Sequence, residues 1–202
     1  MEKYIYEGKT KEQVLNLMLY ELNVNENDLI YKEKEENMGF LKGKKTVIEA
    51  YKISEIAEEA KKILTELLDG MKISSNIETM VKEKTIKLNI HSKNNSIIIG
   101  KKGHILDSIQ YFIKNVIVNE IGDNINLIID VESYKDKQKY FLERQAKKIV
   151  KEVLKTKQDI KLDPMKAYER KIIHDALSKY KNIETISEGI EPYRCIVIKY
   201  KD

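Results

Sequence analysis

Two short stretches combine residue types at spacings that could do chemistry: Ile98-Ile99-Gly100-Lys101-Lys102-Gly103 and Arg170-Lys171-Ile172-Ile173-His174. In the first, two glycines bracket two lysines. Without a Cβ, a glycine lets the chain come close to another backbone. Amides at the start of a following helix point at an anion, and lysines supply cations. That combination suits a phosphodiester, with Ile98 and Ile99 beside it able to hold bases, and single-stranded RNA is the usual ligand of such an arrangement. In the second stretch, Arg170 and His174 are four apart and share one helical face. The periodicity assigns Tyr168, Ile172, Ile173, Ala176 and Tyr180 to a different, core-facing arc, so the pair is expected to point away from the core, beside Lys171, Ser178 and Lys181. Such a face binds phosphates, or is ordinary solvated charge with a histidine packed beside an arginine.

The charge is distributed to match. Residues 1–52 carry a net charge of −1, residues 53–133 carry −2 and residues 134–202 carry +7, so the whole excess lies in the last third. All three arginines, Arg144, Arg170 and Arg194, are in that block too. Arginine's planar donor fork fits phosphate and base edges better than a lysine does. A polyanion partner for the last third is one reading and a lysine-rich solvated surface is the other.

Composition narrows the classes. At 202 residues, 42% hydrophobic and 35% charged, the chain reads as folded, with room for one large domain or two to three small ones. It contains no apolar run long enough to cross a membrane, and the start MEKYIYEGKTK has no apolar signal core, so a cytoplasmic location is expected. The lone Cys195 excludes an internal disulfide. His91, His104 and His174 form no cluster at metal-ligand spacing, so neither a metal nor another cofactor is expected.

Three units must position these residues, giving an α+β fold of three small α/β modules in tandem. Residues 1–52 read as βαββ, with Thr10 and Gln13 forming a capping box, a stripe of Val14, Leu17, Met18 and Leu22, and strands near 29–34 and 46–51. Between those strands Phe40 and Leu41 lie among glycines on a turn, a candidate protein contact or a pair folded onto its own core. Residues 53–133 read as αββααβ. Ser54 is the expected N-cap and Gly70 the stop of the first helix, and Ile105, Leu106, Ile109, Phe112, Ile113, Val116 and Ile117 give an amphipathic helix after Gly103. Residues 134–202 read as a basic helix over 135–155, a connector over 157–163, a helix over 164–180 and strands near 184–187 and 195–200.

With the glycine loop in that order of elements, the middle unit resembles a KH domain of bacterial topology. It is most similar to that of the Jag family, also called KhpB, where a leucine-aspartate-alanine-leucine-glutamine-tyrosine-like string follows the loop; here it is Leu106-Asp107-Ser108-Ile109-Gln110-Tyr111. The Arg-xxx-His pair followed by two small strands resembles the R-three-H domain, a single-stranded nucleic-acid-binding module. Ser187-Glu188-Gly189 and Glu191-Pro192-Tyr193-Arg194 are similar to the end of Jag proteins, and Gly39-Phe40-Leu41 to the loop of the Jag N-terminal domain. The resemblance implies RNA contacts at Ile98, Ile99, Gly100, Lys101, Lys102 and Gly103, and nucleic-acid contacts at Arg170 and His174, with Lys171 beside them and Arg194 as a further candidate. It also implies a role as an RNA chaperone or post-transcriptional regulator tied to cell elongation and division. The implied associations are a small single-KH-domain protein, a genetic neighbourhood with a membrane-protein insertase, and room for homo-oligomers. DNA is the other single-stranded ligand open to the last unit.

Two other readings compete with an RNA-binding module. A nuclease would use His174 as general acid or base and Arg170 to stabilise charge, but the chain offers it no second acid-base partner and no carboxylate cluster for metal ions. A protein-interaction scaffold would work through the loop around Phe40.

Overall fold

The structure is a computed structural model in which residues 1–37, 44–122 and 125–201 are described. The chain packs as two compact units, Met1–Glu132 and Ser133–Asp202. Phe40 and Leu41 lie outside the described residues.

The first unit opens with β1 (Tyr4–Gly8), α1 (Lys11–Leu22), β2 (Leu29–Asn37) and β3 (Lys44–Lys52). These strands form an antiparallel sheet in the order β1-β3-β2. Thr10 caps α1 as its sequence predicts, its Oγ1 accepting from the Gln13 N–H at 3.3 Å. The small core joins Val14 and Met18 of α1 to Leu29, Ile48 and Ala50. Leu17, expected in the same stripe, is 46% exposed, because the sheet is narrow and the helix buries only the arc centred on Val14 and Met18.

β3 runs directly into α2 (Ile53–Gly70), so no linker separates the first sheet from this helix. Lys52, with extended backbone, precedes the helix, and Ser54 lies inside it rather than capping it. Ile53 is buried as the first helical residue, so packing places the helix start one position ahead of the polar cap that the sequence suggests. β4 (Ser75–Lys82), β5 (Thr85–Ser92), α3 (Asn95–Ile99), α4 (His104–Ile121) and β6 (Asn126–Val131) complete the expected αββααβ order. β5 is central, antiparallel to β4 and parallel to β6, with Leu88 opposite Ile129. Ile86, Leu88 and Ile90 alternate into the core at period two. Facing them, α2 buries Ile56, Ala60, Leu64 and Leu68, and α4 buries Leu106, Ile109, Ile113 and Ile117. Each fully buried isoleucine or leucine among these contributes about 1.5–3 kcal/mol relative to exposure. A parallel strand pair cannot be joined by a tight hairpin, so the chain must cross over the sheet between β5 and β6. The glycine stretch sits on that crossover, between α3 and α4.

The second unit contains α5 (Tyr134–Thr156), β7 (Ile160–Lys161), α6 (Ala167–Leu177), β8 (Ile183–Glu188) and β9 (Cys195–Tyr200). Its sheet has the order β7-β9-β8, all antiparallel. Ala146, Val150 and Val153 of α5 and Ile173 and Leu177 of α6 close over Ile196 and Ile198 of β9. Two features depart from the sequence expectation. The connector contains the short strand β7, and α6 begins at Ala167 instead of Pro164. Both have one cause: the connector tracks the sheet, the Leu162 N–H donating to the Ile196 carbonyl at 2.8 Å and the Met165 N–H to the Arg194 carbonyl at 3.1 Å. Backbone committed to β9 cannot also enter the helix.

Candidate nucleic-acid interface

The glycine stretch makes a tight, backbone-defined turn. Gly100 ends α3 with φ 69° and ψ −177°, a conformation essentially reserved for glycine. Lys102 and Gly103 come next in the left-handed region, at φ 51° and 72°. The Gly100 N–H donates to the Ser96 carbonyl at 2.9 Å and the Gly103 N–H to the Gly100 carbonyl at 3.3 Å. There is also no room for a side chain at Gly100, where a Cβ would lie 2.5 Å from Ile105 Cγ1. The glycine is therefore required twice, by dihedral and by space.

α4 then starts at His104 with no described side chain capping its N-terminus. Amide groups of its first turn lie beside the exposed Lys101 and Lys102, an arrangement that attracts an anion. Ile97 and Ile105 flank the loop, 50% and 40% exposed. Here the sequence assignment needs correcting. Ile98 is completely buried and belongs to the core, so it cannot hold a base; Ile99 is partly buried, and the exposed apolar surface comes from Ile97 and Ile105. A five-residue helix turns only one side inward, and Ile98 takes that side.

The second site differs more from expectation. Arg170 and His174 do share a face of α6, but that face looks toward the sheet. Arg170 is 7% exposed, its Nη1 donating to the Met165 carbonyl at 2.8 Å and standing 2.9 Å from Glu191 Oε1. His174 is part-buried against β8, with Nδ1 2.6 Å from Thr185 Oγ1 and Nε2 3.0 Å from Ser187 Oγ. Residues 185 and 187 are two apart on a strand and so present both hydroxyls on one side. Burial lowers the His174 pKa from its ordinary value; nearby Arg170 pushes the same way and Asp175 opposes. The inward arc of α6 is Glu169, Arg170, Ile173 and Leu177, whereas Tyr168 is 42% exposed and Ile172 and Ala176 are less buried than that arc. Sequence periodicity placed Ile173 and Tyr180 correctly against the core, but it centred the arc too far toward Tyr168 and Ile172 because it could not count two polar residues as inward.

Of the remaining candidates, Lys171 is exposed, one helical turn before His174 on α6 and turned further toward solvent, and Arg194 is part-buried just before β9. Glu191, Thr185 and Ser187 were missed as partners of the pair. Only the alternation of Thr185 and Ser187 carried a readable signal. Among the described residues no group of three or more potential metal ligands comes together. No described helix is long and apolar enough to cross a membrane.

Comparison with known proteins decides the family. The KhpA/KhpB KH domain family matches residues 57–129 and the R-three-H domain family matches residues 141–200. The chain is 34% identical to RNA-binding protein KhpB of Clostridium symbiosum, over 100% of this chain and 93% of that protein. It is 32% identical to RNA-binding protein KhpB of Bacillus subtilis, over 96% of each. The chain belongs to the KhpB/Jag family. Within a KhpB-type chain the glycine turn is thus the loop of the KH domain, and α6 with β8 and β9 is the core of the R-three-H domain. The Streptococcus pneumoniae KhpB is also similar, at 28% identity over 73% of this chain and 45% of its own length.

Proposed function

We propose that this chain is an RNA-binding protein that takes single-stranded RNA at the Gly100–Gly103 turn and holds it further through its basic R-three-H domain, without catalysing a reaction on it. The observation that carries this reading is the turn itself. Its backbone is shaped by glycines that tolerate no side chain at position 100, two exposed lysines project from it, a helix whose N-cap Gly103 offers no capping side chain starts behind it, and Ile97 and Ile105 flank it. The relatives' name, RNA-binding protein KhpB, supports it. The two His174 ring nitrogens are engaged by hydroxyl groups, which suits a positioning residue better than a general acid or base.

The chain as far as residue 133 is net negative, so long-range attraction must come from the +7 of residues 134–202. Tethering two modest sites makes the second contact intramolecular and raises avidity. We place the protein in the cytoplasm, acting on transcripts that govern cell elongation and division. A small single-KH-domain partner is supported by the family that matches residues 57–129, which is named for KhpA and KhpB together. The three-part division at 52 and 133 belongs to the same reading, the first two parts packing as one unit.

The test is anisotropy of a fluorescent single-stranded 20-nucleotide RNA with wild-type protein and with Lys101→Asp/Lys102→Asp. A weakening of about ten-fold or more with an unchanged circular dichroism spectrum supports the loop. Wild-type affinity in the variant refutes it.

A further inference from the structure

On the side of α6 away from Arg170 and His174, a groove of about 500 Å³ runs between α5 and α6. Each helix lines it with the same pattern, lysine, acid, lysine at four-residue spacing: Lys139, Glu143 and Lys147 on α5, and Lys171, Asp175 and Lys179 from α6 and its C-terminal end. On α5 the three side chains stack on one helical face, and on α6 Lys171 and Asp175 do the same, with Lys179 continuing the row from the turn that follows the helix. Eight residues of helix span about 12 Å, which is long enough for a stretch of chain and not only one anion. Four lysines against two carboxylates leave the lining positive.

At one end the groove is lined by Tyr168, whose ring is held in place. Its hydroxyl donates to Gln138 Oε1 at 3.0 Å, and Gln138 Nε2 donates to Glu169 Oε1 at 2.7 Å. Glu169, 3% exposed, is itself anchored by accepting from the Lys166 N–H at 2.7 Å. A ring fixed at its hydroxyl end and 42% exposed is a stacking surface that loses little freedom when a base lands on it.

We infer that this groove is the chain's second RNA site, lying on the R-three-H domain, with a base on the Tyr168 ring and flanking phosphates on Lys139, Lys147, Lys171 and Lys179. The inference rests on the reading of this chain as an RNA-binding protein and adds where on the R-three-H domain the strand lies. Glu143 and Asp175 set the affinity below its electrostatic maximum, so that binding there is easily reversed.

The test uses the full chain, a fluorescent U20 RNA, and the slope of log affinity against log salt. Lys147→Gln/Lys179→Gln should reduce the slope by about 1.4, at about 0.7 for each phosphate of a single strand that is no longer neutralised. Lys148→Gln/Lys155→Gln, which removes two charges from α5 outside the groove, should change the slope by less than half as much. Tyr168→Ala should weaken binding about ten-fold. Glu143→Gln/Asp175→Asn should strengthen it several-fold, a gain that misfolding cannot imitate. Equal effects of the two lysine pairs, or no gain from neutralising the acids, overturn the groove while leaving the RNA-binding reading intact. Wild-type slope and affinity in all the groove variants overturn it in favour of a non-RNA occupant such as an acidic protein segment. A wild-type chain that does not bind U20 at low salt sinks the underlying reading along with it.

Discussion

Arg170 Nη1 lies 2.9 Å from Glu191 Oε1, with the arginine side chain 8% exposed and the glutamate 57% exposed. The arginine is thus held from two sides, by the Met165 carbonyl at the helix entry and by the carboxylate of the β8–β9 connection. It ties the start of α6 to the sheet, and its first effect is on the shape of the R-three-H domain.

Removing that tie should be felt in stability. Arg170→Met should lower the stability of the second unit by about 2–3 kcal/mol, because a buried hydrogen-bonded charge is lost and the Met165 carbonyl is left short of a donor. Glu191→Gln should cost about 1 kcal/mol or less, since the glutamate is more than half exposed and water screens the pair. Urea denaturation of the two variants checks the ranking, and a larger loss for Glu191→Gln would contradict it.

Position 100 should reject even alanine. The positive φ with extended ψ and the 2.5 Å approach to Ile105 both act against a Cβ. Gly100→Ala is expected to destabilise by about 2 kcal/mol, within the usual range for such strained dihedrals. Adding Ile105→Ala should recover part of the loss, because it removes the Cγ1 and Cδ1 clashes but neither the Cβ clash nor the backbone strain. A double-mutant cycle measured by thermal unfolding reads this coupling directly. Aspartate at 100 meets the same obstacles, so charge changes at Lys101 and Lys102 are the cleaner probe of binding.

Neutralising the loop lysines should leave a different signature from unfolding. Lys101→Gln/Lys102→Gln is expected to keep the thermal midpoint within about a degree while lowering the salt slope of RNA binding by about 1.4, two phosphates at about 0.7 each. An unchanged slope would mean that neither lysine meets a phosphate.

His174 should make the second unit sensitive to mild acid. Its pKa is lowered in the folded chain, chiefly by burial, so the unfolded chain binds more protons once the pH drops below the ordinary histidine value of 6.5. Stability contributed by the neutral ring is therefore complete above that value, is lost as pH falls from there to the lowered folded pKa, and levels off below it. Thermal midpoints measured between pH 8 and 5 should show this fall, and His174→Asn should flatten it. A midpoint that rises on acidification through this window would reverse the assignment.

Much of the fold is legible in the chain itself, for reasons that lie within a few residues of each element. Thr10 and Gln13 predict a cap that forms. The period-two run of Ile86, Leu88 and Ile90 predicts a buried strand, and the recurrence of Leu106, Ile109, Ile113 and Ile117 at helical spacing predicts the packed face of α4. β7 is not readable, because two residues pairing with a distant strand leave no periodicity of their own.

The candidate sites divide along the same line. Sequence alone determined that a glycine-bracketed, lysine-bearing turn interrupts the αββααβ unit, that an Arg and a His share a helical face, and that the positive charge is concentrated after residue 133. Those are matters of local spacing and counting. Only the tertiary structure decided that Ile98 is core while Ile97 and Ile105 flank the turn, and that Arg170 and His174 face inward to Glu191, Thr185 and Ser187. It also brought Lys139 and Lys147 to the same groove as Lys171 and Lys179. Which arc of a helix is buried depends on the surface packed against it, and that surface is built from residues distant in the chain, set in place by how strands and helices dock.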